Sequence, residues 1–126
     1  MPHFTIEYSA NLDAEVDMQS FCEEIRRAAL ATGVFETGAV RVRAIRCEHC
    51  AIADNDPGNG FIDVSARVAR RDLAVKKKVG EAVFAAITAF LGGLLEGRHF
   101  ALSFEIREID PELSYRRNSI HERLRQ

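Results

Sequence analysis

The chain of 126 residues has no tryptophan, only three cysteines and a formal net charge of −2, from 17 basic and 19 acidic residues. An odd number of cysteines argues against a disulfide framework and suits a reducing compartment. The small net charge gives no general attraction to nucleic acid, and no helix-turn-helix, RNA-binding or zinc-finger pattern overrides that. We therefore expect no nucleic-acid partner.

Long apolar runs are also lacking. No apolar run approaches the roughly eighteen residues of a membrane span, and the polar N-terminus has no signal-peptide core. A content of 47% hydrophobic and 29% charged residues is typical of a globular protein with a real core. The expectation is one domain over residues 1–126, a cytoplasmic location and no membrane partner.

Metal ligands are few. The run Cys47-Glu48-His49-Cys50 resembles half of a metal site. A tetrahedral zinc needs further ligands, and neither a second CxxC nor a pair of histidines is present. We therefore predict no metal site.

What the sequence does have is a proline at position 2. If Met1 is removed, which the small Pro2 side chain permits, the chain begins with a secondary amine. An apolar pocket or nearby cations would lower the pKa of that amine below the usual value of about 8, giving a base poised near neutrality. The alternative is that Met-Pro serves nothing beyond initiation.

Pro2 also opens a strand pattern, because Phe4, Ile6 and Tyr8 alternate with polar residues. Helical spacing follows over about residues 17–32, and a second alternation places Arg41 and Arg43 on one strand face. These elements form one βαβ unit with parallel strands, over about residues 2–47.

After a turn-rich run at residues 54–60 the pattern starts again. Alternating residues from Ile62, a helix that Asp72 can cap, and a last strand around Phe104 form a second unit over about residues 60–109. Superposing the repeats pairs Phe4 with Ile62. The predicted fold class is α/β (α+β), a tandem βαβ repeat with a four-stranded sheet, two helices on one face and a C-terminal extension at 110–126.

Several short motifs occur together in a specific order. They are Met1-Pro2-His3-Phe4, Ala31-Thr32-Gly33-Val34-Phe35, Ala101-Leu102-Ser103-Phe104-Glu105-Ile106 and Asn118-x-x-His121. With the proline start and the tandem repeat, the chain resembles the 5-carboxymethyl-2-hydroxymuconate isomerases of the tautomerase superfamily. The resemblance spans nearly the whole chain.

The resemblance implies a cofactor-free isomerase of homoprotocatechuate catabolism, acting on an unsaturated di- or tricarboxylate. It also implies a homotrimer whose duplicated subunits imitate the hexamer of the shorter 4-oxalocrotonate tautomerases. Pro2 would be the base that takes the 2-hydroxy proton of the dienol and helps to return a proton to carbon.

Arg41 matches the family's arginine in the second strand, whose implied role is to bind a carboxylate and polarise the developing oxo group. Its alternative is a surface or interface ion pair. The family's second arginine lies just before a helix, where strand register favours Arg70 and adjacency to the helix favours Arg71; Arg71 is preferred. Arg43 is a weaker candidate for a further carboxylate.

The second repeat is expected to lack a site of its own. Its start is internal chain, and Ser103 is predicted to occupy the position of Arg41. One base per chain would result, with the subunit that supplies each arginine left open. His3, His99 and His121 are interpreted as structural.

Two other functions remain open. A related tautomerase or a hydrolytic dehalogenase could use the same proline amine on a smaller unsaturated acid, although Glu7 lies on the other strand face and gives dehalogenation little support. A non-catalytic oligomeric binding module could also keep this fold.

Overall fold

The computed structural model describes residues 1–126. The chain forms four strands, three helices and three short 3₁₀ turns. The strands and helices are β1 (His3–Ser9), α1 (Met18–Ala31), β2 (Arg41–Cys47), β3 (Gly60–Val68), α2 (Leu73–Gly97), β4 (Phe100–Glu108) and α3 (Ser119–Leu124).

The sheet has the order β2-β1-β3-β4. β1 is parallel to β2 and β3 is parallel to β4, because each pair is connected through a helix. The two units meet through the antiparallel pair β1 and β3, in which Ile6 lies opposite Val64. The predicted tandem βαβ architecture is confirmed.

Both long helices pack on one face of this sheet. Asp17 caps α1 by accepting hydrogen bonds from the backbone N–H groups of Gln19 and Ser20, whereas Asp72 precedes α2 without a side-chain cap. Alternate residues of the strands pack in one hydrophobic core against helix residues that are three or four positions apart. Its buried members include Phe4, Ile6, Ile62, Val64, Phe21, Ile25, Val79, Val83 and Ile87.

The other face of the sheet is polar and uncovered within one chain. Arg41, Arg43, Asp63 and Arg67 are all exposed there. The Ser103 hydroxyl donates to Asp63 Oδ1 at 2.7 Å on the same face. An antiparallel arrangement of two units thus leaves one face available to solvent or to another chain.

The strand register corrects the position predicted for Ser103. Arg41 lies beside His3, and the equivalent of His3 in the second repeat, Phe61, lies beside Ala101. Ser103 lies beside Asp63 and therefore corresponds to Arg43, because the connection is two residues longer in the second unit. The second unit still lacks the cation, since alanine replaces it.

The expectation that no apolar run approaches the length of a membrane span is wrong for α2. By length and composition α2 could cross a membrane, with a mean hydropathy of 1.6 over eighteen residues. A single helix of this kind is weak evidence, because core helices pass the same test. Val79, Val83, Ile87 and Leu91 of α2 are buried in the core. Gly92 interrupts the helix with φ 28° and ψ −106°.

The C-terminal extension folds back onto its own chain. The Ile109 N–H donates to the carbonyl of Val68 at 2.8 Å, and the Asn118 amide donates to the carbonyl of Gly38 at 2.9 Å. Arg125 binds both carboxylate oxygens of Glu36, at 2.7 and 2.8 Å. Helix α3 is thereby held against the turn before β2.

Replacing Gly38 should loosen this docking. A Cβ at position 38 would lie 2.8 Å from His121 Nδ1 and 3.1 Å from the His121 backbone nitrogen. We expect Gly38→Ala to increase amide exchange in α3 while leaving exchange in the core strands unchanged. Gly93→Ala is the matched control, because no atom lies within 4 Å of its Cβ. Wild-type exchange in α3 of the Gly38 variant would contradict this account.

Candidate active site

The N-terminus lies in a cleft of about 990 Å³ built from three parts of the chain. The starts of β1 and β2 supply His3 and Arg41, the segment after β3 supplies Arg71, and the C-terminal extension forms the remaining wall. The lining residues include Met1, His3, Val34, Glu36, Arg41, Arg67, Arg71, Tyr115, Arg116, Arg117, Asn118, His121 and Arg125.

The first two residues place an amine in this cleft. Pro2 is buried, and its carbonyl accepts a hydrogen bond from the Arg41 N–H at 3.2 Å. Burial lowers the pKa of the Met1 amine, and the charges of Arg116, Arg41 and Arg71 lower it further, while Glu36 opposes them. This end of the cleft therefore favours an unprotonated amine.

The charged guanidinium of Arg41 contacts the neutral imidazole of His3 near the amine. Arg41 Nη1 lies 2.8 Å from His3 Nε2. Burial and then the charge of Arg41 lower the pKa of His3 to about 4. Since a guanidinium only donates, Nε2 must accept and the ring proton must lie on Nδ1. His3, interpreted from the sequence as structural, thus orients Arg41.

The structure separates the two arginines that precede α2. Arg71 lines the cleft, with its guanidinium 5.3 Å from the ring centre of Phe35, and its Nε is buried without a hydrogen-bond partner. The Arg70 side chain is 70% exposed, and its Nε lies 3.8 Å from a Glu108 oxygen. Neither Arg70 nor Arg43 is among the lining residues. The cleft therefore brings together the N-terminus, Arg41 and Arg71.

Besides Arg125, which binds Glu36, three further arginines in the cleft were not singled out from the sequence as site residues. Arg67 continues the exposed face of β3, so the strand alternation contained a signal for it. Arg116 and Arg117 had no such signal, because their position depends on how residues 109–118 fold back. None of the three forms an ion pair, whereas Glu36 is neutralised by Arg125. The cleft therefore has a surplus of positive charge that suits a polycarboxylate.

No group of three or more His, Cys, Asp or Glu residues that could hold a metal ion occurs in the structure. The three cysteines are unpaired. The groups that the cleft offers for chemistry include the N-terminal amine, the neutral His3 imidazole, six guanidinium groups and the carboxylates of Glu36 and Glu122.

Comparison with known proteins identifies the family. A family model described as 5-carboxymethyl-2-hydroxymuconate isomerase matches residues 2–124. The chain belongs to this family. It is therefore an enzyme, an isomerase with the tautomerase fold.

Similar proteins carry the same name. The Escherichia coli 5-carboxymethyl-2-hydroxymuconate Delta-isomerase is 31% identical over 122 residues, covering 96% of this chain and 97% of the relative. A crystal structure of a 5-carboxymethyl-2-hydroxymuconate isomerase from Deinococcus radiodurans R1 is 32% identical, with a TM-score of 0.91 and coverage of 99% of this chain and 95% of the other.

More distant structures share the fold alone. A fused 4-OT described as a symmetric trimer has a TM-score of 0.62 at 14% identity, covering 85% of each chain. A member of the cis-3-chloroacrylic acid dehalogenase family has a TM-score of 0.66 at 13% identity, covering 92% of this chain and 80% of the other. The fold is thus common to isomerases and dehalogenases, and the family assignment depends on the closer relatives.

The protonation state of His3 can be measured directly. We expect the His3 ring of this isomerase to stay neutral from pH 8 down to about pH 5, because its pKa is lowered to about 4. Nitrogen NMR across that range should report a proton on Nδ1, and the His3→Gln variant identifies the resonance. A His3 titration centred near the ordinary value of about 6.5 would refute the contact with Arg41 as described.

Proposed function

We propose that this isomerase converts 5-carboxymethyl-2-hydroxymuconate to its conjugated 2-oxo isomer, with the Pro2 nitrogen as general base. The observation that carries the proposal is an N-terminal amine placed among unpaired arginines in one cleft. The names of the similar isomerases support the substrate. The corresponding cellular role is a cytoplasmic step of homoprotocatechuate degradation.

The reaction moves one proton and one double bond. The amine removes the proton of the 2-hydroxyl group, and the C2–O bond becomes a carbonyl. The π electrons between C2 and C3 move to lie between C3 and C4, and those between C4 and C5 form the new C5–H bond with the returned proton. The proton returned to C5 completes an isomer with unchanged composition. A single base of suitable pKa can perform both transfers, and no oxidant or reductant is consumed.

The environment of the amine supports its role as a base. With Met1 removed, the Pro2 nitrogen would occupy the end of the cleft where burial and three arginines lower the pKa of an amine. A base with a pKa below about 8 is substantially unprotonated at neutral pH. The same arginines attract the anionic substrate, so one field serves both binding and catalysis.

Arg41 and Arg71 have distinct roles in the proposal. Arg41 is tied to Pro2 by its backbone N–H and oriented by His3, so its guanidinium can bind a substrate carboxylate and stabilise the oxygen that becomes the carbonyl. Arg71 has a buried Nε without a partner, and a substrate carboxylate would supply the missing acceptor.

We further propose a homotrimer with one site per chain. The polar sheet face with Arg43 and Asp63 is uncovered in the single chain, and the fused 4-OT proteins of the same fold are described as symmetric trimers. In such an assembly a neighbouring chain could extend the cleft.

The first test is an ultraviolet assay of ketonisation with enzyme whose Met1 removal is confirmed by intact mass. Wild-type enzyme should prefer 5-carboxymethyl-2-hydroxymuconate to 2-hydroxymuconate. Pro2→Ala should lose about 100-fold or more in turnover, because a primary amine replaces the tuned secondary amine. Equal turnover by Pro2→Ala would remove the proline ring from the mechanism. Preference for 2-hydroxymuconate would indicate a related tautomerase activity, and no turnover of either compound would indicate a different substrate.

Paired arginine variants test the binding roles. Arg41→Gln and Arg71→Gln should each lower kcat/KM by about 10- to 100-fold, as expected for loss of a charge-assisted hydrogen bond. Arg43→Gln and Arg70→Gln are the matched controls, because each removes the same charge close by in the sequence but outside the cleft lining. Larger losses in the controls than in Arg41→Gln and Arg71→Gln would overturn this division of roles.

A further inference from the structure

A short segment of the C-terminal extension forms one wall of the cleft. This segment, Ser114–Arg117, is here called the strap. It has no regular secondary structure and lies between the 3₁₀ turn Pro111–Leu113 and α3. Ser114, Tyr115, Arg116 and Arg117 all line the cleft.

The strap is anchored at both ends. Upstream, the Ile109 N–H donates to the Val68 carbonyl at 2.8 Å, and Asp110 caps the turn by accepting from the Glu112 N–H at 2.9 Å. Downstream, the Asn118 amide donates to the Gly38 carbonyl, and its Oδ1 accepts from the N–H groups of Ile120 and His121. The two ends of the strap are therefore held near β3 and the turn before β2, which lowers the entropic cost of using its side chains to bind a ligand.

Arg116 is the charged residue of the strap that acts on the pKa of the N-terminal amine. It forms no ion pair and no side-chain hydrogen bond within the chain, unlike Arg125, which is neutralised by Glu36. Its charge lowers the pKa of the Met1 amine more than the charge of Arg41 or the charge of Arg71 does. Arg117 lines the same wall but is not among the charges acting on that amine.

The proposed substrate has one carboxylate more than Arg41 and Arg71 can hold. 5-Carboxymethyl-2-hydroxymuconate has a carboxylate at each end of the diene and a third on the carboxymethyl branch. 2-Hydroxymuconate lacks the third. A planar guanidinium that is free of internal partners can bind such a carboxylate through two parallel hydrogen bonds.

We propose that Arg116 is a specificity-determining residue that binds the carboxymethyl carboxylate and so distinguishes the tricarboxylate from the dicarboxylate. The inference rests on the proposed substrate. Arg67 and Arg117 also line the cleft without an ion pair. Arg67 lies opposite His3 in the sheet and acts on that imidazole, and Arg117 is not among the charges acting on the amine. The strap supplies the recognition that the two βαβ units do not.

The kinetic test compares two substrates in one variant. Arg116→Gln should lower kcat/KM for 5-carboxymethyl-2-hydroxymuconate by about 10- to 100-fold, mainly through KM. For 2-hydroxymuconate the loss should stay below about 3-fold, the range of a screened surface charge. Each variant is assayed on the plateau of its own pH profile, because loss of the Arg116 charge also raises the pKa of the amine.

Two further variants sharpen the comparison. Arg123→Gln removes the same charge from α3, where the side chain is exposed and outside the cleft lining. This variant should leave kcat/KM unchanged for both substrates. Arg116→Lys keeps the charge without the planar fork and should recover part of the preference. Equal losses for both substrates in Arg116→Gln would overturn the assignment.

Binding without turnover separates this inference from the proposed function. Calorimetry with 2-(carboxymethyl)adipate and adipate, the saturated counterparts of the two substrates, should show tighter binding of the tricarboxylate by wild type. Arg116→Gln should abolish that preference, and a retained preference would refute the role of Arg116. A wild-type chain that binds the tricarboxylate through Arg116 but turns over neither substrate would refute the proposed reaction alone.

Discussion

The parallel pairing of β1 with β2 is the constraint on which the site depends. It places His3 beside Arg41 and ties the Pro2 carbonyl to the Arg41 N–H. A slip of one residue would turn the guanidinium toward the helices and the apolar side chains toward solvent. Phe4 and Ile6 are completely buried, so the hydrophobic core opposes such a slip. The same apolar contacts that hold the sheet therefore fix the distance between the amine and its arginine.

The second determinant is an electrostatic imbalance that the fold tolerates. Arg41, Arg67, Arg71 and Arg116 share one cleft, and the nearby Glu36 is already bound to Arg125. Like charges that share one cleft repel each other. A buried donor such as Arg71 Nε also costs free energy while it lacks an acceptor. A polycarboxylate relieves both effects at once. The repulsion among these arginines thus favours binding of an anion, and their charges lower the pKa of the amine.

Much of the fold followed from periodicity. Alternation identified β1 to β4, and helical spacing over about residues 17–32 agrees closely with α1. The prediction that Ser103 is equivalent to Arg41 was wrong, because alternation defines which face of the sheet a residue occupies and not how many residues the connection between strands contains. The interruption of α2 at Gly92 has no signature in a period-3.6 pattern. The end of that helix, and with it the register of β4, could not be read from spacing alone.

The residues of the candidate site also differ in how well the sequence indicated their positions. Pro2, Arg41 and Arg71 belong to regular elements or their ends, so sequence position indicated where they lie. Arg116 depends on the Ile109 and Asn118 hydrogen bonds, which join residues far apart in the chain. Such contacts leave no periodic trace. A binding wall formed by an irregular segment therefore becomes visible only when the fold is known.

The duplication finally explains why a symmetric sheet has an asymmetric function. Gly60 is the equivalent of Pro2 in the second unit, yet its N–H donates to the His99 carbonyl at 3.2 Å. A Cβ there would lie 3.1 Å from Ser9 Oγ and 3.3 Å from Asn11 Oδ1, so the position is closed by the turn after β1. Ala101 stands in the place of Arg41, so this end has neither a terminal amine nor the equivalent cation. The first unit therefore carries both groups in a charged cleft, whereas the equivalent end of the second unit packs against the turn after β1.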